Sequence, residues 1–229
     1  MSSPIALGTK NRIKDFFVRI HQALSHRHRV DILARKISAL IREELPGNKR
    51  IGCLDVGCGD MGIAEAIAEF DARIEWKCID VHALPECLSR DEKWKKYQQF
   101  DGNRIPFDDG AFDVVLFCDV LHHADENAVS LLVEAARVGS FVIVKDHFEY
   151  SLFSRFMLKV LDFLGNWGYG INLPRRYFTM KGFGSLSRSA GLVIKRIDIG
   201  IDLYAHLPVI RWFSRPKWQF LAVLEKDIS

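Results

Sequence analysis

The stretch Leu54-Asp55-Val56-Gly57-Cys58-Gly59-Asp60-Met61-Gly62 decides the fold of this chain. An apolar segment ends here in three glycines with the spacing G-x-G-x-x-G, a pattern typical of a buried strand that turns sharply into a helix. Glycine suits such a turn because its backbone adopts positive φ without steric cost. The pattern predicts a nucleotide-type ligand site, although a tight strand–helix corner alone would also require glycine.

The charge around this turn separates two classes of ligand. Asp55 lies two residues before the first glycine, and Asp60 follows the second. A dinucleotide would bring its anionic pyrophosphate close to both carboxylates, whereas S-adenosylmethionine brings an α-ammonium and a sulfonium that carboxylates attract. The turn therefore favours a methyl donor over a nicotinamide, and a dehydrogenase remains an alternative at the level of the fold.

The downstream pattern extends the turn into an α/β domain. A second strand, 74–80, ends in Asp80, about 20 residues beyond the turn, where nucleotide-binding α/β folds place a ribose-binding carboxylate. Strands and helices alternate through residue 145, which predicts a parallel sheet, and two late strands predict a terminal antiparallel hairpin. The predicted strands are 50–56, 74–80, 96–100, 112–118, 139–145, 192–199 and 217–225, and the helices between the first five are 62–70, 84–90 and 126–137.

Four segments, in order, resemble class I S-adenosylmethionine-dependent methyltransferases of the type 11-like group, which includes the quinone-biosynthesis methyltransferases. They read LDVGCGDMG, CIDVH, FDGNRIPFDDGAFDVVLFCDVLHH and FVIVKDH, and the resemblance covers roughly residues 50–150. It implies a Rossmann-like, seven-stranded sheet that is mostly parallel with a C-terminal antiparallel hairpin and helices on both faces. It also implies S-adenosylmethionine as cofactor and leaves the acceptor open.

The same resemblance assigns roles to individual residues. The glycine turn would line the methionine part of the donor, Asp80 would hold the ribose hydroxyls, and Asp101 would face the adenine amino group. Asp119 and the histidines after it would close the pocket near the methionine end. The implied cofactor-binding residues are Asp55, Gly57, Cys58, Gly59, Asp80, Val81, Asp101, Gly102 and Asp119.

The pattern outside this core predicts two covering segments. Residues 1–48 form a helical N-terminal extension or cap, with one or two amphipathic helices between residues 10 and 45. Residues 49–229 form the methyltransferase domain, with a cap insertion at about 150–190 that contains an apolar helix, 152–164, and a flexible aromatic loop. Residues 200–216 connect the last two strands.

Charge is distributed unevenly along the chain. Residues 1–36 contain eight Lys and Arg against two Asp and Glu, and residues 151–229 contain twelve against five, whereas residues 37–150 contain twelve against 22. Basic flanks around an acidic core favour an anionic or carrier-bound acceptor, or peripheral contact with a membrane surface. A solvated basic face explains the same distribution without any ligand.

Composition excludes several classes of protein. Five cysteines without a C-x-x-C pair argue against a disulfide framework and against a structural zinc site, so we expect no metal and a reducing compartment. No apolar run approaches the ~20 residues of a membrane span, and the N-terminus has no apolar signal core. Cytoplasmic residence is the resulting expectation.

Histidines at the ends of predicted strands are the candidate bases. His147 is preferred because Asp146 precedes it and because the cap would cover it; His122, beside His123, is the second candidate and could instead line the donor site. Trp167, Tyr169 and Tyr177 are candidate acceptor-binding residues, with simple packing as the alternative for each.

Three functions fit these observations. The first is methyl transfer to an O, N or activated C atom of a small, largely apolar metabolite. The second is an RNA methyltransferase, against which stand the lack of an RNA-binding module and of an Asn/Asp-Pro-Pro-aromatic motif after the fourth strand. The third is a non-catalytic donor-binding module. We expect no nucleic-acid partner, and the oligomeric state stays open.

Overall fold

A computed structural model of the protein describes residues 9–84, 92–165 and 174–227. These residues form one seven-stranded sheet with the strand order β3-β2-β1-β4-β5-β7-β6. Strands β1 to β5 pair in parallel, and β7 pairs antiparallel with both β5 and β6. The predicted fold class is confirmed. The strands are β1 (Ile51–Val56), β2 (Ile74–Asp80), β3 (Tyr97–Gln99), β4 (Phe112–Cys118), β5 (Gly139–His147), β6 (Leu192–Ile199) and β7 (Gln219–Lys226).

Within the described residues, six α-helices connect and cover the strands. They are α1 (Thr9–Glu44), α2 (Gly62–Phe70), α3 (Ala128–Val138), α4 (Leu152–Gly165), α5 (Met180–Ser189) and α6 (Pro208–Phe213). The N-terminal pattern, predicted as one or two helices, is a single continuous helix. The predicted helix at 84–90 lies largely outside the described residues, and the division of the chain at residue 48 stays a prediction.

The C-terminal connection differs from the sequence prediction. Residues 200–216, predicted as the connection between the last two strands, contain α6. The last strand begins at Gln219 rather than at residue 217, because a 3₁₀ turn over Pro216–Trp218 precedes it. Proline at the first position of each of these short helices explains both starts, since its fixed φ is already helical.

Two apolar layers hold the helices on opposite faces of the sheet. Successive side chains of β1 point to opposite faces of the sheet. Leu54 and Val56 lie in the layer beneath α3 and α5, whereas Cys53 lies in the layer beneath α1 and α2. Helix α1 contributes buried side chains at helical spacing to the second layer: Leu33, Ile37, Leu40 and Ile41. This packing fixes the C-terminal half of α1 against the core and brings Arg29 to the sheet.

The carboxyl ends of the parallel strands meet at one edge, where open α/β sheets bind their ligands. β1 ends there in the glycine turn, β2 in Asp80, β4 just before Asp119 and β5 in His147. Helix α4 and the segment before β7 lie over the same edge. Within the described ranges, no helix is long and apolar enough to cross a membrane.

Candidate functional site

The glycine turn after β1 is shaped by backbone hydrogen bonds and by residues with positive φ. The amides of Gly57 and Cys58 both donate to the carbonyl of Ile79, at 2.8 and 3.2 Å. Gly57 has φ +74° and Gly59 has φ +53°. A Cβ on Gly57 would lie 2.5 Å from Cγ2 of Val120, whereas a Cβ on Gly59 would have no heavy atom within 4 Å. Packing against Val120 therefore requires glycine at position 57, whereas the space around Gly59 would accommodate a Cβ atom.

Asp80 ties the turn to the end of β2. One carboxylate oxygen accepts from the Gly59 amide at 2.9 Å, and the other accepts from the His82 amide at 3.1 Å. The carboxylate is buried at the sheet edge and lies directly beside the turn. The structure thus brings together the glycine turn and the acid predicted to bind ribose.

Asp55 is a buried acid in an acidic setting. Burial, reinforced by the negative charges of Asp80 and Asp60, raises the pKa of Asp55 to about 7. A cation placed beside it would relieve this destabilisation of the carboxylate. Asp60 points away, because its exposed carboxylate lies 3.3 Å from His26 Nε2 on α1. The cationic donor predicted from the sequence therefore fits Asp55, whereas Asp60 joins the turn to α1.

The predicted adenine end lies beyond β3. Asp101 is exposed, and its Oδ1 accepts from the amides of Asn103 and Arg104 at 2.8 and 2.9 Å, which forms a tight turn. Gly102 has φ +79°, and its Cβ position lies 3.1 Å from a methyl group of Val81. Val81 and Gly102 thus pack against each other at the rim next to Asp80. These assignments to the donor stay predictions.

Asp119 follows β4 in an unusual backbone conformation, binds two cationic side chains and lies close to His147. Its φ is +57°, a region that non-glycine residues seldom occupy. Its carboxylate binds Arg29 of α1 and Lys145 of β5, and it lies 3.3 Å from His147 Nδ1. Burial alone would raise the pKa of Asp119, but Lys145 and Arg29 outweigh burial and hold that pKa well below its usual range.

The imidazole ring of His122 lies between two carboxylates. Its Nδ1 lies 2.7 Å from Asp146 Oδ1, and its Nε2 lies 3.2 Å from Asp162 Oδ2. Burial opposes its charge, but Asp146 and Asp162 prevail and raise the pKa of His122 to about 10. His122 is therefore an imidazolium at neutral pH and cannot accept a proton there. The sequence paired Asp146 with His147, but Asp146 also holds His122.

His147 has the opposite character. Burial and the neighbouring Lys145 lower the pKa of His147, so its imidazole is neutral at pH 7. It lines a cavity of about 120 Å³ at the sheet edge. The other lining residues are Arg29, Asp119, His123, Leu158, Leu161, Asp162, Leu203, Tyr204, Ser214 and Gln219. Of the two histidines predicted as bases, only His147 both faces this cavity and is neutral.

The predicted acceptor-binding aromatics have different positions. Tyr177 is buried and donates from its hydroxyl to Asp162 Oδ2 at 2.6 Å, so it supports the wall behind the cavity. Its amide also donates to Glu149, at 3.2 Å. Trp167 and Tyr169 lie outside the described residues, and their assignment stays a prediction.

Three residues at the site escaped sequence reasoning: Arg29, Lys145 and Asp162. Lys145 had a visible signal, because it interrupts the apolar run of β5, and a fully buried lysine requires a partner. Asp162 had a similar signal as the one acid in the apolar pattern of α4. Arg29 resembles the other basic residues of α1, and only the tertiary fold places it on Asp119.

Comparison with known proteins shows a similarity to one described family over part of the chain. Residues 54–141 match a family described as "Methyltransferase domain". The match runs from β1, through the glycine turn and Asp119, into the start of β5. No sequence among curated proteins matches the chain. The predicted enzyme class, a methyltransferase, and the predicted methyl donor, S-adenosylmethionine, are confirmed.

Solved structures share the fold at low sequence identity. The structure of TnmH is 18% identical with a TM-score of 0.59; the match covers 89% of this chain and 56% of TnmH, so the chain spans little more than half of that protein. The 1,6-didemethyltoxoflavin-N1-methyltransferase of Burkholderia thailandensis is 14% identical with a TM-score of 0.60, covering 99% and 93%. Magnesium protoporphyrin IX methyltransferase from Synechocystis PCC 6803 is 14% identical with a TM-score of 0.59, covering 99% and 90%. The quinone-biosynthesis subgroup stays a prediction.

Proposed function

We propose that this protein transfers the methyl group of S-adenosylmethionine to an O, N or activated C atom of a small, largely apolar acceptor that loses a proton in the reaction. The observation that carries the proposal is the cavity beside the carboxyl end of β5, which a neutral His147 lines next to Asp119. Two of the structural neighbours are named as methyltransferases of small molecules, which supports a small acceptor.

The donor would lie across the ends of β1 and β2. S-adenosylmethionine supplies an electrophilic methyl group on a sulfonium when it is bound. Asp55 would neutralise the cationic end of the donor, the Gly57–Gly59 turn would allow close backbone approach, and Asp80 would accept hydrogen bonds from the ribose. Since β4 neighbours both β1 and β5, the methyl group would then point toward the Asp119 side of the edge.

The acceptor would lose its proton to His147. Lys145 and Arg29 keep Asp119 ionised, and Asp119 Oδ1 lies 3.3 Å from His147 Nδ1 without a hydrogen bond between them, so the negative charge would attract the proton to Nδ1. Nε2 is then the basic nitrogen. As the proton arrives, the ionised Asp119 stabilises the imidazolium. In-line methyl transfer otherwise requires mainly that the acceptor be held about 3 Å from the methyl group.

The remaining cavity wall supports a mostly apolar acceptor with a polar end. Leu158, Leu161 and Leu203 provide apolar contact area. The Ser214 hydroxyl and the Gln219 Oε1 are buried in the same wall and have no hydrogen-bond partner among the described residues. Buried polar atoms of this kind are normally satisfied, so both are available to a polar group of the acceptor. An anionic or carrier-bound acceptor, expected from the basic flanks of the sequence, stays a prediction.

A labelling experiment tests the proposal. A protein-free extract of the native cells is incubated with methyl-tritiated S-adenosylmethionine and the protein, then separated into organic-soluble and RNA fractions. We expect label in the organic-soluble fraction, and its loss with His147→Ala. Label in RNA would instead favour an RNA methyltransferase, and donor binding without label in either fraction would favour a non-catalytic module. Cytoplasmic residence, peripheral membrane contact and the oligomeric state stay predictions or open questions.

A further inference from the structure

Helix α4 has two apolar faces, and only one of them is buried. Leu158 and Leu161 on the inner face line the cavity, and Leu158 is 2% exposed. On the outer face, large apolar side chains recur at helical spacing and are open to solvent: Leu152 (78% exposed), Phe153 (52%), Phe156 (61%), Val160 (36%) and Phe163 (47%). A surface helix of a water-soluble domain ordinarily carries polar residues there, so this face is adapted to an apolar contact.

Helix α6, next to a second wall of the same cavity, also has exposed apolar side chains. Helix α6 ends in Trp212 and Phe213, which are 75% and 43% exposed, and the next residue, Ser214, lines the cavity. The 3₁₀ turn that follows α6 contacts α4, because the rings of Phe153 and Trp218 pack edge-on with centroids 6.4 Å apart. The exposed apolar side chains of both helices therefore belong to segments that also line the cavity. We name Leu152, Phe153, Phe156, Trp212 and Phe213 the α4–α6 face.

Basic residues accompany this face. Arg215 and Lys217 follow α6 and are exposed, and Lys217 Nζ lies 5.4 Å from the ring centroid of Tyr150, just before α4. Arg211 on α6 and Arg175 and Arg176 before α5 are also exposed. Exposed aromatic and aliphatic side chains next to Lys and Arg are the composition of segments that lie in the headgroup region of an anionic bilayer. The segment 151–229, which contains α4 and α6, carries the basic excess of the C-terminal part of the chain.

The length of α4 decides how it would meet a bilayer. Its 14 residues span about 21 Å, shorter than the ~30 Å hydrocarbon core. No described helix qualifies as a span. The helix would therefore lie in the plane of the interface, with its outer face among the acyl chains and its inner face on the cavity.

We propose that the α4–α6 face docks the protein on an anionic membrane surface, so that a lipophilic acceptor passes from the bilayer into the His147 cavity. This inference rests on the proposed function for the identity of the cavity, and it adds the place from which the acceptor comes. Docking brings the cavity walls to the lipid, and the acceptor does not have to cross water.

Vesicle flotation tests the docking. The full chain is mixed with vesicles of phosphatidylcholine alone and with vesicles that contain 30% phosphatidylglycerol, at about 0.15 M salt. We expect binding to the anionic vesicles, at least tenfold weaker binding to the neutral ones, and a further loss in high salt. The paired substitution Leu152→Ser with Phe156→Ser should weaken binding at least tenfold. Val133→Ser is the matched control, because Val133 is a 45% exposed apolar residue of α3, and it should bind as the wild type does.

The fluorescence of Trp212 tests how the protein is oriented on the membrane. Its fluorescence should shift to the blue on adding anionic vesicles and should be quenched by brominated acyl chains, and Trp212→Phe should remove both signals.

No binding to anionic vesicles, or binding that Leu152→Ser with Phe156→Ser leaves unchanged, would overturn the proposal. So would a concentration-dependent dimer in sedimentation that the same paired substitution abolishes, because the face would then bind a second copy. Vesicle binding requires no turnover, and donor binding and label transfer are measured without vesicles, so failure of docking and failure of the proposed function are distinguishable.

Discussion

The part of the sheet edge proposed to bind the donor and the part proposed to bind the acceptor, here the donor half and the acceptor half, are built in different ways. The donor half consists of the glycine turn, Asp55 and Asp80, and its main contact, from the Gly59 amide to Asp80, joins residues 21 positions apart. The acceptor half consists of Asp119, His122, His147 and Asp162 around the cavity. There Arg29 reaches Asp119 across 90 positions. A local turn shapes the first half, and the packing of helices shapes the second.

The two halves also differ in how their charged residues are arranged. In the donor half, Asp55 is surrounded by other acids, and its raised pKa favours an added cation. In the acceptor half, acids and bases already pair with one another, and what remains for a ligand is a neutral His147 with two buried polar atoms. The first half is suited to binding a charged cofactor, and the second to moving a proton. Substitutions should therefore separate binding from turnover.

The largest expected effect is on turnover. His147→Ala should lower kcat by about 10²- to 10⁴-fold, because the acceptor loses its base, while the affinity for the donor changes by less than about twofold. Burial and Lys145 lower the pKa of His147, so activity in the wild type should rise with pH and be lost as His147 becomes protonated in acid. Label transfer measured from pH 5 to pH 8 checks both statements. Unchanged kcat in a folded variant would exclude His147 as the base.

The next effect concerns the glycine turn. Gly57→Ala should cost about 2–4 kcal/mol, divided between the free energy of unfolding and donor binding, because it combines a positive φ with a close contact to Val120. Gly59→Ala is the matched control, since it has a positive φ but open space around the new Cβ, and it should cost only about 1–2 kcal/mol. Chemical denaturation with and without S-adenosylhomocysteine measures both terms. Equal effects of the two variants would show that the contact with Val120 is unimportant.

A smaller effect is expected at the ribose acid. Asp80→Ala should weaken donor binding by about 1–3 kcal/mol, because hydrogen bonds to a charged group are lost. Asp113→Ala removes a similar bond, from the Gly52 amide to Asp113 Oδ2 at 2.8 Å, at the opposite end of the sheet, and it should leave donor affinity unchanged. Titration calorimetry on both variants provides the comparison. Donor affinity unchanged by Asp80→Ala in a folded protein would contradict the ribose assignment.

The smallest effect is a pH dependence of donor binding. With its pKa at about 7, Asp55 is protonated below neutrality and loses its attraction for the cationic donor. Affinity should therefore rise about tenfold from pH 6 to pH 8 on account of this group. The donor titrates in the same range, so the informative quantity is the difference between the wild type and Asp55→Asn. The two curves would run parallel if Asp55 did not contact the cation.

The same contrast explains what the sequence could predict. The glycine spacing, Asp80 and the period-2 strands are local patterns, and the bounds of α2, β2, β4 and β6 agree with their predicted ranges. The acceptor half depends on which distant side chains meet. His147 was placed at the edge, yet Asp146, chosen as its partner, holds His122 as well, and Asp119 supports His147 from another strand end. The contact from Arg29 to Asp119 depends on how α1 packs on the sheet, for which the sequence offers no local signal.

The most direct test of the division between the two halves is calorimetric titration of S-adenosylmethionine and of NAD into the wild type, His147→Ala and Asp80→Ala. We predict that S-adenosylmethionine binds the wild type and His147→Ala with equal affinity, binds Asp80→Ala at least fivefold more weakly, and that NAD binds none of them. Binding of NAD without binding of S-adenosylmethionine, or a loss of donor affinity in His147→Ala as large as in Asp80→Ala, would contradict the account.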